Sequence, residues 1–258
     1  MTVTKKQSEN KVEHPLWTAW VLSLFPEMFP GPLGFSLAGR ALDKGLWRLN
    51  SVNIRDYATD RHKTVDDTPM GGGPGMVLRP DVVGPALDDV ILRARRDFVD
   101  SGLDADPRVV YLSPRGRRFD QAAAKRYAEE PGLVLLCGRF EGLDQRVLDA
   151  RNVEEVSLGD FVLSGGELPA LTLMDAVIRL LPGVIGDPAA LEEESFARDL
   201  LEYPQYTRPN EWDGRVVPEV LTSGHHENVR NWRLAQAEEL TKRRRPDLWA
   251  RYLEGKKD

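Results

Sequence analysis

The chain has 258 residues, which suits one large domain or a large and a small one, since single cores stop growing at around 250 to 300 residues. Its 18 prolines and 22 glycines cut the apolar sequence into short runs. None approaches the roughly 18 consecutive apolar residues of a membrane span, and the single cysteine, Cys137, excludes an internal disulfide or a multi-cysteine zinc site. These features point to a folded cytoplasmic protein with no membrane partner.

The formal charge of −6 speaks against a nucleic-acid partner until its distribution is read. From Arg230 to the end there are nine Lys or Arg against five Asp or Glu, so an end of about +4 sits on a body of about −10. That asymmetry suits a chain that touches phosphate with one part only; a solvated helix face is the plainer reading of the same charges. The four histidines, His14, His62, His225 and His226, have no metal-ligand spacing.

Residues 1–16 begin with a polar stretch of mixed charge and read as a flexible tail without the apolar core of a secretory signal. The run from Ala19 to Phe25 is β-like and stops at Pro26. Helical patterns follow over Val82 to Val99 and Gln121 to Glu130, with strands at Val109 to Leu112, Leu133 to Cys137, and Glu155 to Leu158 running on to Phe161 to Leu163. Continuous apolar strands separated by helices indicate an α/β body with a mostly parallel sheet covered on both faces. A helix over Pro169 to Leu181 leads into Pro/Gly-rich and acidic sequence, which places a linker at residues 186–198 between a domain of residues 17–185 and one of residues 199–258. Helical spacing over Asn228 to Leu240, and again over Lys242 to Tyr252, makes that second domain small and all-helical.

Three glycine clusters stand directly after apolar strands: Tyr111-Leu112-Ser113-Pro114-Arg115-Gly116, Cys137-Gly138-Arg139-Phe140-Glu141-Gly142, and Leu158-Gly159-Asp160-Phe161-Val162-Leu163-Ser164-Gly165-Gly166-Glu167. In an open α/β sheet ligands bind outside the carboxyl ends of strands, and glycine there lets the backbone approach a ligand closely. Taken singly, each cluster also reads as an ordinary strand-to-helix turn. Ser164 and Glu167 have the spacing of a capping box, but Pro169 would then fall past the first turn, so the helix is expected to start at Pro169 and leave Ser164 to Leu168 as a loop. Gly71-Gly72-Gly73-Pro74-Gly75 lacks the Gly-Lys-Ser/Thr that would make it a phosphate loop, and the charged run Asp60 to Asp67 before it reads as a solvated loop.

Together with Leu24-Phe25-Pro26-Glu27-Met28-Phe29, Asp60-Arg61-His62 and Tyr206-Thr207-Arg208-Pro209, these segments resemble, in order, the bacterial tRNA (guanine-37-N1) methyltransferases of the trefoil-knot class. The resemblance implies a knot in the C-terminal half of the first domain, which base rates of topology disfavour. It also implies a homodimer with a shared active site, and S-adenosylmethionine held by the three loops. The positions that carry over as cofactor contacts are Tyr111, Leu112, Ser113, Pro114, Gly138, Glu141, Leu158, Gly159, Phe161, Leu163, Gly165, Gly166 and Pro169. Phe161 stands where many relatives have tyrosine.

Guanine N1 carries a proton at neutral pH, so its methylation needs a base, and a cation near O6 stabilises the charge that develops. By resemblance the cation is Arg179, which also has the spacing for a helix-surface pair with Asp175, and the base is Glu194 in Glu194-Ser195-Phe196, where the family has aspartate. Glu202 likewise replaces a family aspartate; with Glu141 these acids leave magnesium open as a further cofactor, without composing a metal site. Two other readings stand beside this one. A knotted methyltransferase could act on another RNA nucleotide, and a non-catalytic RNA-binding protein would use only the basic C-terminal helices.

Overall fold

The computed structural model describes residues 16–256; the expected tail lies outside the described residues except for Leu16. The chain divides into two compact units, the first ending at Ile185 and the second beginning at Gly186. The first unit contains β1 (Trp17–Ser23), α1 (Ser36–Asp43), β2 (Trp47–Asn53), the short strands β3 (Asp66–Asp67) and β4 (Val77–Leu78), α2 (Pro80–Asp100) and β5 (Arg108–Arg118). It continues with α3 (Gln121–Glu129), β6 (Gly132–Cys137), α4 (Gln145–Ala150), β7 (Glu154–Ser157) and α5 (Glu167–Ile178).

Five strands form one sheet in the order β2-β1-β6-β5-β7, every neighbouring pair parallel. Side chains alternate between its two faces. Trp17, Ala19 and Val21 of β1 join Leu133, Leu135 and Cys137 of β6 in a core with residues of α1, α3 and α5. Trp20 and Leu22 join Val134 and Leu136 in a second core with α2 and α4. Both faces are therefore covered, which is why β1 and β6 are buried along their length and, apart from Thr18 and Ser23 of β1, built from apolar residues and glycine. Edge strand β2, Trp-Arg-Leu-Asn-Ser-Val-Asn, is only partly buried; its polar residues hide it from a search for apolar runs.

Local chemistry sets the helix limits. Asp120 caps α3 by accepting from Ala123 N at 2.8 Å, and Asp144 caps α4 by accepting from Arg146 N at 3.0 Å. α5 begins at Glu167, two residues before the expected start, which puts Pro169 at the third helical position. No hydrogen bond is forfeited there, because the first N–H groups of a helix have no intrahelical acceptor. The expected extension of β7 to Leu163 is not a strand: Phe161, Val162 and Leu163 lie in an exposed loop, at 55%, 84% and 40% exposure, although the sequence there is apolar.

The second unit contains β8 (Glu211–Trp212), β9 (Arg215–Val216), α6 (Glu219–Thr222), α7 (His226–Arg244) and α8 (Pro246–Gly255). It is not all-helical, since β8 and β9 form an antiparallel hairpin around Asp213 and Gly214, both with positive φ. α7 runs past Leu240 to Arg244, and the break comes one residue before Pro246, which opens α8 and holds Arg245 out of helical geometry. The small core of this unit includes Leu200, Ala237, Thr241 and Leu248, with Thr241 Oγ1 accepting from Leu201 N at 2.8 Å. The segment 186–198 carries a single 3-10 turn at Pro188–Glu192. No helix among the described residues is long and apolar enough to cross a membrane.

Candidate cofactor and active site

β6, β5 and β7 are adjacent in the sheet and parallel, so their carboxyl ends open at the same edge. β5 and β7 pair through Leu112 and Val156, after which Arg117 meets the same Val156. Ser113, Pro114, Arg115 and Gly116 therefore bulge out of the ladder, and the first three of them form one wall of a cavity. The loops after β6 and after β7 form the other walls. They are joined to each other: Gly166 N donates to Gly138 O at 2.9 Å, and Arg139 and Gly165 form an isolated antiparallel bridge.

This cavity, about 330 Å³, is lined by all thirteen positions expected to contact the cofactor. Its lining mixes backbone at glycines with apolar and aromatic side chains, including Tyr111, Leu158 and Phe161, and its volume lies at the lower end of the range for small-molecule sites. Burial holds the Tyr111 phenol above its ordinary pKa, so it lines the cavity as a neutral group. Such a lining suits a ligand with a flat heteroaromatic ring and polar edges, the chemistry of the S-adenosylmethionine nucleoside. Among the described residues no group of three or more His, Cys, Asp and Glu side chains could hold a metal ion.

Under the cavity floor lies a polar cluster that the sequence did not reveal. Glu167, 1% exposed, accepts from Ser23 Oγ at 2.6 Å through Oε1, and its Oε2 lies 3.0 Å from Arg139 Nε in an ion pair without hydrogen-bond alignment. Arg139 in turn reaches Ser164 O at 3.3 Å and lies over the Phe25 ring at 4.4 Å. Ser23 Oγ also accepts from Phe25 N at 2.8 Å. One buried carboxylate thus ties the end of β1 to both glycine loops. From sequence, Glu167 is expected in a loop and not in a capping box, whereas it opens α5 behind Gly166, which occupies the N-cap position without a side-chain bond. The partners of the Glu167 carboxylate lie 144 and 28 residues away, beyond any local pattern.

Glu167→Ala should destabilise the first unit by about 3 kcal/mol, because it leaves the partly buried Arg139 guanidinium without its counter-charge and the Ser23 hydroxyl without its acceptor. Urea unfolding measures this; a loss under 1 kcal/mol would show that the cluster is dispensable to the fold. Cys137 beside it is fully buried, and burial first, with Glu167 second, pushes its thiol well above the usual range, so it is a packing residue and not a nucleophile.

The outer side of the Cys137 loop is braced by Met76 and Leu78, just after the Gly71 to Gly75 run. Glu141 N donates to Met76 O at 2.9 Å and Leu78 N donates to Gly142 O at 2.9 Å. Only the end of the glycine run, Gly75, lies against the cavity loop, where an added Cβ would meet Glu141, a connection the sequence alone left open. Asp60, in the charged run before it, accepts from His62 N and Thr64 N at 2.9 Å, a closed local turn among exposed residues.

Of the two residues expected in catalysis, Arg179 is the C-cap of α5 in the first unit. Glu194 belongs to the second unit, where it lines a cavity of about 270 Å³ with Tyr203, Arg230 and Arg233. The chain around it is well tied: Ala197 N donates to Glu194 O at 3.1 Å and Glu202 N donates to Ser195 Oγ at 3.0 Å.

The model of the family described as tRNA (Guanine-1)-methyltransferase TrmD matches residues 18–251. The chain belongs to this family. A protein of Rhodospirillum rubrum named tRNA (guanine-N(1)-)-methyltransferase is 60% identical over 235 residues, covering 91% of this chain and 93% of its own. Proteins of the same name are 61% identical over 234 residues in Rhodopseudomonas palustris, covering 91% and 90%, and 54% identical over 245 residues in Ruegeria pomeroyi, covering 95% and 97%.

Proposed function

We propose that this protein transfers the methyl group of S-adenosylmethionine to N1 of guanine 37, beside the anticodon of tRNA, in the cytoplasm. The observation that carries the reading is the convergence of three glycine loops on one cavity at the carboxyl ends of adjacent parallel strands, in a chain of this family. When bound, S-adenosylmethionine supplies an electrophilic methyl group. The protein's own residues then have three tasks. Glu194 takes the N1 proton of guanine and Arg179 stabilises negative charge at O6, while the loop backbone around Gly138, Gly159 and Gly165 fixes the donor's position. A methyl-transfer assay on tRNA with guanines at positions 36 and 37, followed by nucleoside analysis, tests it; methyl found on another nucleotide would favour the alternative of a different RNA target.

The proposed chain path includes a trefoil knot, supported by the hydrogen bond that joins the loops around Gly138 and Gly166. The working form is proposed to be a homodimer with a shared site. Phe140, Phe161, Val162 and Leu168 are large apolar side chains exposed around the cavity loops, as expected of a surface that meets a partner. Light scattering of the purified protein should give twice the 29.0 kDa chain mass.

The second unit, with segment 186–198 as its approach, is proposed as the tRNA-binding domain of residues 199–258. Arg245 is tied to Asp247, Arg251 to Asp199 and Lys256 to Glu238. Among the described residues, Lys242, Arg243 and Arg244 in the last turn of α7 are in no such pair. Replacing these three with Ala should weaken tRNA binding and reduce its salt slope by about two, with cofactor affinity unchanged. An unchanged slope in filter-binding titrations would return them to a solvated face.

A further inference from the structure

The Tyr206-Thr207-Arg208-Pro209 segment has no task in the chemistry above, yet it borders a cleft of about 350 Å³ within the second unit. Tyr206 is 49% exposed and meets the edge of Trp232 at a centroid distance of 6.1 Å and an interplanar angle of 61°. Arg208 and Asn210 line the cleft too, and Val217 N donates to Asn210 O at 2.9 Å, which sets the β8-β9 hairpin at the border. Arg233 lines the cleft as well. Its guanidinium lies 4.9 Å over the Tyr203 ring and 3.6 Å from Glu193, and its buried Nε has no hydrogen-bond partner.

An exposed aromatic face, a second ring set edge-on to it, two guanidinium groups and an amide are the equipment that receives a single unpaired base. We propose that this cleft is a subsite for one unpaired nucleotide of the RNA substrate, with its base stacked on Tyr206 against Trp232 and its phosphate drawn by Arg208. An apolar peptide is a poorer occupant, because the lining that carries Arg208, Asn210 and Arg233 would be left unpaired. The proposal rests on the RNA-substrate reading above and extends it to a site remote in sequence from the cofactor loops. Recognition of an unpaired base by stacking is sequence-tolerant, so the cleft would select looped RNA over duplex and not one base over another.

The test uses the full-length protein, a tRNA transcript and a fully paired RNA of similar length. Tyr206→Ala should weaken tRNA binding about tenfold, within the range of a lost stacking contact. Tyr206→Phe should bind as wild type, and cofactor affinity and thermal unfolding should be unchanged in both. The salt slope should stay the same in Tyr206→Ala and fall by about one in Arg208→Ala. Affinity for the duplex should not respond to Tyr206→Ala. Wild-type tRNA affinity in Tyr206→Ala, or an equal loss on the duplex, would overturn the subsite while leaving the methyl-transfer reading standing. Wild-type protein that binds no tRNA would overturn both.

Discussion

Glu194→Gln is expected to lower the rate of methyl transfer by roughly 100-fold or more, with S-adenosylmethionine affinity unchanged. The substitution keeps the side chain's size and hydrogen-bonding capacity and removes only its ability to accept a proton, so the loss should fall on turnover and not on binding. Glu194→Asp should retain much of the activity, because it supplies the same carboxylate one methylene shorter. The nearest competitor is Asp199. In the structure the Asp199 carboxylate lies 3.3 Å from Arg251 Nε, and Phe196 N donates to Leu200 O across the tight turn that contains it. Asp199 is thus engaged in holding α8; Glu194 lines a cavity with Glu193, Tyr203, Glu227, Arg230 and Arg233. Single-turnover rates with saturating tRNA decide between them: a near-normal Glu194→Gln beside a dead Asp199→Asn would move the base to Asp199.

How far the sequence could be read depended on whether the physical cause was local. Buried strands β1 and β6 are apolar in every or nearly every residue because both faces are covered, and that pattern is visible in a string of letters. The three glycine loops were legible for a related reason, since glycine directly after an apolar run marks a turn or a place where backbone can pass close to a ligand. Edge strand β2 was not legible: half of its pairing surface faces no strand, and Arg48, Asn50 and Ser51 satisfy a strand without an apolar signature. The loop Phe161 to Leu163 failed in the opposite sense, because its apolar residues serve a cavity mouth and not a core. The start of α5 was misplaced because proline was treated as an initiator, when any of the first three helical positions tolerates it. Arg139 and Ser23 meet at Glu167 only after the sheet is assembled, and no spacing could have announced that cluster.

The second large effect is expected at the glycines, by a route the sequence alone did not suggest. From sequence, a side chain at Gly138 or Gly165 was expected to fill the space of the ligand. A Cβ on Gly165 would instead lie 2.5 Å from Arg139 Nε and 2.6 Å from Glu167 Oε2, inside the ion pair beneath the loop. On Gly138 it would lie 2.7 Å from the Tyr111 hydroxyl and 2.8 Å from its ring. The two positions should therefore fail differently. Tyr111 is itself a wall of the cavity, so Gly138→Val displaces a lining ring and should abolish detectable cofactor binding with the fold retained. Gly165→Val must push apart Arg139 and Glu167, which also hold Ser23 and the Ser164 carbonyl, so it should lose cofactor binding and fold stability together. Gly165→Ala probes the same contact with the smallest side chain and should show the same coupled loss in weaker form. Calorimetric titration with S-adenosylmethionine and thermal unfolding, run on all three variants, separate the outcomes. Near-normal affinity in folded Gly138→Val would remove the cavity from cofactor binding. Lost affinity in Gly165→Val at wild-type stability would mean that the side chain enters the ligand's space after all, and that the ion pair yields without cost.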